Sequence, residues 1–179
     1  DVLELWNKFE SVSIGASLDA EGERAEFMRK GTNWSQIVEN RKRMLKVCPQ
    51  VDFYISSTVG LINAWHITDF HRNWVDQGLL KPQDFNFNLL QYPYWQRIDL
   101  LPNHFKLIVK DKIEKHISWL KPQDPLTRAT KGFQSGIDYM MRRDLHKDFN
   151  QFKEGMAKLD NIRNENVTKT FPELKELYD

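Results

Sequence analysis

The sequence lacks the features that define several specialised protein classes. Its only cysteine is Cys48, so no internal disulfide can form, and a reducing cytoplasmic setting is the simplest prediction. No uninterrupted apolar run approaches the roughly 18 residues of a membrane helix. Lysine and arginine total 26 against 25 aspartate and glutamate, and this net charge of +1 gives no general attraction to nucleic acid or to an anionic membrane. We therefore expect neither a membrane protein nor a nucleic-acid coat protein.

The composition that remains is that of one globular domain. The chain has 179 residues, of which 40% are apolar and 12% aromatic, enough to build a single sizeable core. It begins Asp1-Val2-Leu3, with no initiator methionine, basic segment or cleavage site. From the sequence alone we expect a piece of a longer protein.

Three segments alternate apolar and polar residues, which predicts three β-strands over residues 11–19, 51–59 and 85–92. In each strand one face is apolar, whereas the other carries mainly Ser, Gly, Asp, Thr, Asn or Tyr. Helical periodicity predicts helices near the N-terminus, after a cap at Thr32 or Asn33, from Asn63 to Gly78, from Asn103 to Leu120, and in two runs thereafter. The polar segment 20–31 is predicted to be a loop.

Strands separated by helices at intervals of roughly 30 to 40 residues predict right-handed parallel crossovers. Helices can cover only the apolar face of such strands, so the polar face should look into a wet or ligand-filled space, as in a barrel. Because three strands cannot close a barrel, we predict an α/β fold. Residues 1–121 would form half of a (β/α) barrel, and residues 122–179 a C-terminal helical segment. Chemistry is expected where the strands end, at Ser17, Asp19, Thr58 and residues 90–92.

Residues 13–24, SIGASLDAEGER, followed by FMRKG at 27–31, carry a resemblance to a known family. This stretch resembles the fourth strand and following loop of radical S-adenosylmethionine (radical SAM) enzymes, especially the peptide-modifying branch with twitch or SPASM domains. That branch typically has Ser-x-Asp at the end of this strand and an arginine about a dozen positions later. Thr58-Val59 with Asn63 is similar to the fifth strand and its helix start, and residues 88–93 are similar to the sixth strand and its exit. The resemblance covers almost the whole chain.

The resemblance implies a cytoplasmic enzyme that binds S-adenosylmethionine and a 4Fe-4S cluster and modifies a peptide or small protein. The family's CxxxCxxC loop, which holds the cluster through three thiolates, is absent here, and one cysteine cannot replace it. This chain alone would therefore be inactive. Its partner would be a missing N-terminal half or a complementary polypeptide that carries the cluster ligands.

The resemblance also implies which residues contact the cofactor, namely Ser17, Asp19, Arg29, Thr58 and Asn63. Ser17 and Asp19 would bond ribose hydroxyls, a carboxylate or an ammonium, and Arg29 would pair with the methionyl carboxylate. Thr58 and Asn63 would supply contacts near the cofactor. No residue of this chain is assigned as catalytic or as a metal ligand.

Each of these residues also has a structural interpretation. Asp19 can bond backbone amides in a strand-end turn, Arg29 can be a surface residue, and Asn63 can be a helix cap. His66 and His71 lie too far apart around a helix to share a metal. A basic group could bind phosphate, but we predict that it is a solvated helix face: Arg41, Lys42, Arg43 and Lys46. The alternative function is a non-catalytic α/β interaction module or split-gene partner subunit.

Overall fold

The computed structural model describes residues 1–178, which form an α/β fold around a parallel sheet. The strands are β1 Ser13–Ala16, β2 Asp52–Val59 and β3 Phe85–Leu89, arranged in chain order with β2 in the centre. Gly15 lies opposite Tyr54, and Ile55 lies opposite Phe85. The predicted strands and their parallel pairing are confirmed, although β1 and β3 are shorter than predicted. β1 ends early because the chain turns, with the Leu18 amide donating to the Ala16 carbonyl.

Helices occupy most of the remaining chain. They are α1 Val2–Trp6, α2 Gly22–Met28, α3 Trp34–Val47, α4 Ile67–Asp76, α5 Asn103–Leu120, α6 Arg128–Met141, α7 Phe149–Arg163, α8 Val167–Thr170 and α9 Lys175–Tyr178. Single 3-10 turns are Tyr94–Gln96, Ile98–Leu100, Lys121–Gln123, His146–Asp148 and Pro172–Leu174. Asn33 caps α3 as predicted, because its side-chain oxygen accepts from the Gln36 amide at 3.0 Å.

Two local predictions are wrong. The segment 20–31 is not a loop throughout, because α2 forms within it and buries Ala25 and Phe27. The Phe27 ring packs edge-on against Phe171 near the C-terminus, with centroids 5.6 Å apart, so a distant residue supplies the partner that stabilises this helix. Asn63 does not cap α4, which begins at Ile67 with His66 as its N-cap residue.

The apolar face of the sheet packs against the helices in one continuous core. The Phe53 ring stacks on Trp74 of α4, and Phe70 of the same helix meets Phe85 edge-on. The core continues past residue 121, since Leu120 and Ala129 are both fully buried in it. Residues 122–178 therefore share a core with the strands.

The other face of the sheet is polar and remains accessible to solvent in the described part of the chain. We call it the open polar face; its residues are Ser13, Gly15, Asp52, Tyr54, Ser56, Asn86 and Asn88. Tyr54 lies across Gly15, where a Cβ atom would be 2.7 Å from the phenol ring. Among residues 1–178, β1 and β3 each pair along one edge only. The open polar face is the one that the sequence predicted to line a cavity, and it lies on the side of the sheet opposite the core helices.

Candidate functional site

Four of the five predicted cofactor contacts come together at the carboxyl end of the sheet. Asp19 follows β1, Arg29 ends α2, Thr58 lies near the end of β2, and Asn63 lies in the turn before α4. All four line one cavity of about 250 Å³. Parallel strands bring the loops after their carboxyl ends to the same edge of a sheet, and the order of the strands makes these loops neighbours.

The carboxylate of Asp19 joins the ends of β1 and β2. Its Oδ1 accepts from the Thr58 amide at 2.8 Å, and its Oδ2 accepts from Arg29 Nε at 2.8 Å. The residue is only 8% exposed, so both bonds are largely shielded from water. Asp19 does bond a backbone amide, but that amide belongs to the neighbouring strand rather than to a local turn. It fixes Arg29 and β2 relative to one another.

Asn63 is the second connecting residue and has no exposed surface. Its Oδ1 accepts from the Gly60 amide at 2.9 Å. Its Nδ2 donates to the Asp19 carbonyl at 2.8 Å and to the Thr58 carbonyl at 3.0 Å. The Asn63 side chain therefore forms all three of these hydrogen bonds with backbone groups, and in this way it positions the cavity wall.

The loop after β3 completes the wall through a residue that the sequence did not single out. The Gln96 carbonyl accepts from the Leu61 amide at 2.8 Å, and Gln96 also lines the cavity. A Cβ atom at Gly60 would lie 2.6 Å from that carbonyl oxygen, so only glycine permits this approach. Gly60, directly after a predicted strand, is the one sequence signal that could have indicated this junction.

Arg29 and Ser17 have polar groups that are not committed to other residues. Arg29 is 42% exposed along its side chain, and its Nη atoms make no hydrogen bond within residues 1–178. Ser17 is exposed just beyond β1 and does not line the cavity. The site thus presents a guanidinium fork beside a buried carboxylate, with a hydroxyl on the adjoining surface. Such a set can bind a carboxylate and ribose hydroxyls.

Cys48 lies away from this site. It is buried in a separate small cluster with Leu3 and Val51, and Val51 comes immediately before β2, at the amino end of the sheet. Within residues 1–178, no three His, Cys, Asp or Glu side chains are grouped so that they could hold a metal ion. None of the helices described is both long enough and apolar enough to cross a membrane.

The histidines that raised a metal hypothesis belong to two different environments. His66 pairs with Glu173 of the C-terminal segment and lies 3.7 Å from Asp69. Burial opposes protonation of His66, but the neighbouring carboxylates of Asp69 and Glu173 outweigh that effect and raise its pKa. His71 instead bonds His116 in the core, with Nδ1 and Nε2 2.8 Å apart. His66 and His71 therefore point to different partners.

No family model matches the chain, and no curated protein or solved structure matches it.

Proposed function

We propose that this chain is the C-terminal half of a radical SAM enzyme and contributes contacts to S-adenosylmethionine and to a peptide or small-protein substrate. The observation that supports this most is the convergence of Asp19, Arg29, Thr58 and Asn63 on one cavity at the carboxyl end of a parallel sheet. The resemblance had named these four residues from two stretches of sequence, residues 13–31 and residues 58–63. The open polar face beside them fits the inside of an incomplete barrel.

The residues at the cavity fit the polar groups of S-adenosylmethionine. The Arg29 Nη atoms would hold the methionyl carboxylate through two parallel hydrogen bonds, while its Nε stays on Asp19. The remaining lone pairs of Asp19 and the Ser17 hydroxyl would take ribose hydroxyls. Asn63 would act indirectly, by fixing the backbone at Asp19 and Thr58. When bound, the cofactor and its cluster would supply the radical chemistry, while this chain would orient the substrate and exclude water.

The size of the cavity agrees with a shared site. Its volume of about 250 Å³ is below the range of about 300–1,000 Å³ usual for small-molecule pockets. We infer that this half encloses part of the cofactor, and that the cluster ligands and the remaining wall belong to an N-terminal half or a complementary polypeptide. That partner would pair with the free edge of β1 or β3 and cover the open polar face.

Replacing Arg29 with alanine should weaken binding of S-adenosylmethionine about tenfold, because the carboxylate loses a charge-assisted bidentate partner. The measurement is a titration of the isotope-labelled 179-residue chain with the cofactor, followed by NMR shifts at Asp19, Thr58 and Gly60. Arg29→Lys should have an intermediate affinity, because it keeps the charge without the planar fork.

Arg43→Ala is the matched control, since Arg43 is exposed on α3 and pairs with Asp1. Its affinity should equal that of the wild-type chain. Equal affinities for Arg29→Ala and Arg43→Ala, or no shifts at the cavity in the wild-type titration, would remove the cofactor from this site.

A second candidate function is a non-catalytic α/β interaction module, and the open polar face with two free strand edges favours it. Both candidates predict a partner, and we expect low solubility or dimerisation when the chain is made alone. The DNA upstream of the coding segment separates them. An in-frame or adjacent segment encoding CxxxCxxC would support the enzyme, whereas a native start codon without such a neighbour would support the module.

A further inference from the structure

A second cavity lies beside the candidate site, between the turn after β3 and helix α7. It has a volume of about 320 Å³ and is lined by Trp95, Gln151, Glu154, Gly155, Lys158 and Leu159. Trp95 belongs to the 3-10 turn Tyr94–Gln96, which follows β3 at the same end of the sheet as Asp19 and Arg29. The next residue, Gln96, lines the candidate cofactor cavity. One turn of chain therefore contributes to both cavities.

The indole of Trp95 packs directly against α7. A Cβ atom at Gly155 would lie 2.6–2.8 Å from three indole carbons, so the ring rests directly on the helix backbone. Glycine inside a helix costs about 1 kcal/mol relative to alanine, and this contact accounts for its presence here. Phe152 supports the ring at a centroid distance of 6.4 Å, and the Gln96 side chain reaches Met156 on the same helix. Trp95 is half-buried, and its remaining surface faces the cavity.

The cavity combines an apolar wall with a polar rim. Trp95 and Leu159 provide apolar surface. The polar rim lies on the exposed face of α7 and consists of Gln151, Glu154 and Lys158. Within residues 1–178, Glu154 and Lys158 form no ion pair with each other or with another side chain. A peptide complements both parts of this cavity: one apolar side chain would contact the apolar wall, and the polar backbone would bond the rim.

We infer that this cavity binds an apolar or aromatic side chain of the peptide on which the enzyme acts, and so helps to choose the substrate. The inference rests on the proposed function, because a substrate is the expected occupant of a cavity whose Trp95 adjoins Gln96, a residue that lines the candidate cofactor cavity. A peptide anchored by Trp95 extends along the carboxyl end of the sheet toward Arg29 and Asp19. The anchoring residue therefore lies some distance from the residue that is modified.

Fluorine NMR of the chain labelled with fluorotryptophan tests this directly. The sequence has six tryptophans, and the Trp95 signal is assigned by its loss in Trp95→Phe. N-acetyl-Gly-Phe-Gly-amide should shift that signal saturably in the millimolar range, about tenfold more tightly than N-acetyl-Gly-Gly-Gly-amide. The half-buried Trp119, on α5, should not respond. Equal responses to the two peptides, or equal responses at Trp95 and Trp119, would overturn the inference.

Leu159→Asn should weaken binding of the phenylalanine peptide at least about fivefold, and Ile162→Asn, on an exposed position of the same helix, should not change it.

Trp95→Leu should abolish peptide binding and leave S-adenosylmethionine binding unchanged. Peptide binding without cofactor binding would contradict the proposed function alone. Cofactor binding without peptide binding would contradict this inference alone. If the chain self-associated and Trp95→Leu abolished that self-association, the occupant of the cavity would be a second copy of the chain. That result would overturn the inference.

Discussion

Replacing Asn63 with alanine should lower the free energy of unfolding by about 3–4 kcal/mol, although the substitution removes only a few atoms. The cost arises because Asn63 has no exposed surface and its amide serves three backbone groups. Alanine leaves the Gly60 amide and the carbonyls of Asp19 and Thr58 without this partner, at a side chain that is fully buried. Each unsatisfied buried group costs about 1 kcal/mol or more.

Urea unfolding of the 179-residue chain, followed by far-UV circular dichroism, measures this effect. Asn40→Ala is the control, because Asn40 is exposed on α3 and bonds only Gln36 one turn away, so its change should stay within about 0.5 kcal/mol. Asn63→Asp should also destabilise the chain strongly, because it keeps the acceptor for Gly60 but turns both donations into repulsion. A loss below about 1 kcal/mol in Asn63→Ala would show that the three bonds do not hold the site together.

The alternation of side chains was enough to predict the sheet. Period-two patterns placed Phe53 and Ile55 on the buried face and Tyr54 and Ser56 on the accessible face, as the structure has them. This succeeded because a strand with one covered face leaves a strict signal at every second residue. The same pattern at β1 and β3, with helices between, predicted parallel pairing. Closure into a barrel stays a prediction, since it depends on strands beyond these three.

The features that local patterns missed depend on partners far along the chain. Arg41 was predicted to be part of a solvated basic face, yet it is buried, with its guanidinium 3.9 Å from the Phe53 ring centre and its Nε donating to the Leu79 carbonyl at 2.8 Å. The prediction is wrong for Arg41 because its carbon chain and planar fork suit an aromatic surface that the helix alone does not show. Helix α2 was missed for a similar reason, because its stabilising partner is Phe171.

At the candidate site, too, the sequence predicted the residue types but not the contacts between distant residues. The residue types at Asp19, Arg29 and Thr58 were identified before the fold, but the sequence did not reveal that Asp19 would bond both of the others. Nor did it reveal that Asn63 would bond backbone groups at the ends of two strands. These contacts make Asp19 and Asn63 supports for the cavity, and they leave Arg29 as the side chain with uncommitted hydrogen-bond donors. A functional test should therefore begin with Arg29, whereas a stability test should begin with Asn63.

The buried pair of His71 and His116 should make the chain less stable in mild acid. Burial lowers the pKa of His71 to about 3, with the neighbouring His116 acting in the same direction. Burial also lowers the pKa of His116 to about 4, aided by Arg72 and opposed by Asp69. Both imidazoles thus stay neutral when folded, but in the unfolded chain they take up protons below about pH 6.5. The stability they contribute is complete above that pH and is lost progressively as the pH falls toward 4, by about 2 kcal/mol for each imidazole between pH 7 and pH 5.

The readout is the difference in unfolding free energy between pH 7 and pH 5, measured for the wild-type chain and for His71→Phe/His116→Phe. A comparison of variants is needed because the raised pKa of His66 acts with the opposite sign, adding stability as the pH falls. The unfolding free energy of the double variant should fall by about 4 kcal/mol less than that of the wild type over this range, because phenylalanine cannot take up a proton. The surroundings suit phenylalanine, since the aromatic rings of Phe85, Phe133 and Trp119 pack around His71. His104→Gln, on the exposed start of α5, should keep the wild-type pH dependence. If the double variant and the wild type lost the same stability, the two histidines would not be the groups that stay unprotonated in the core.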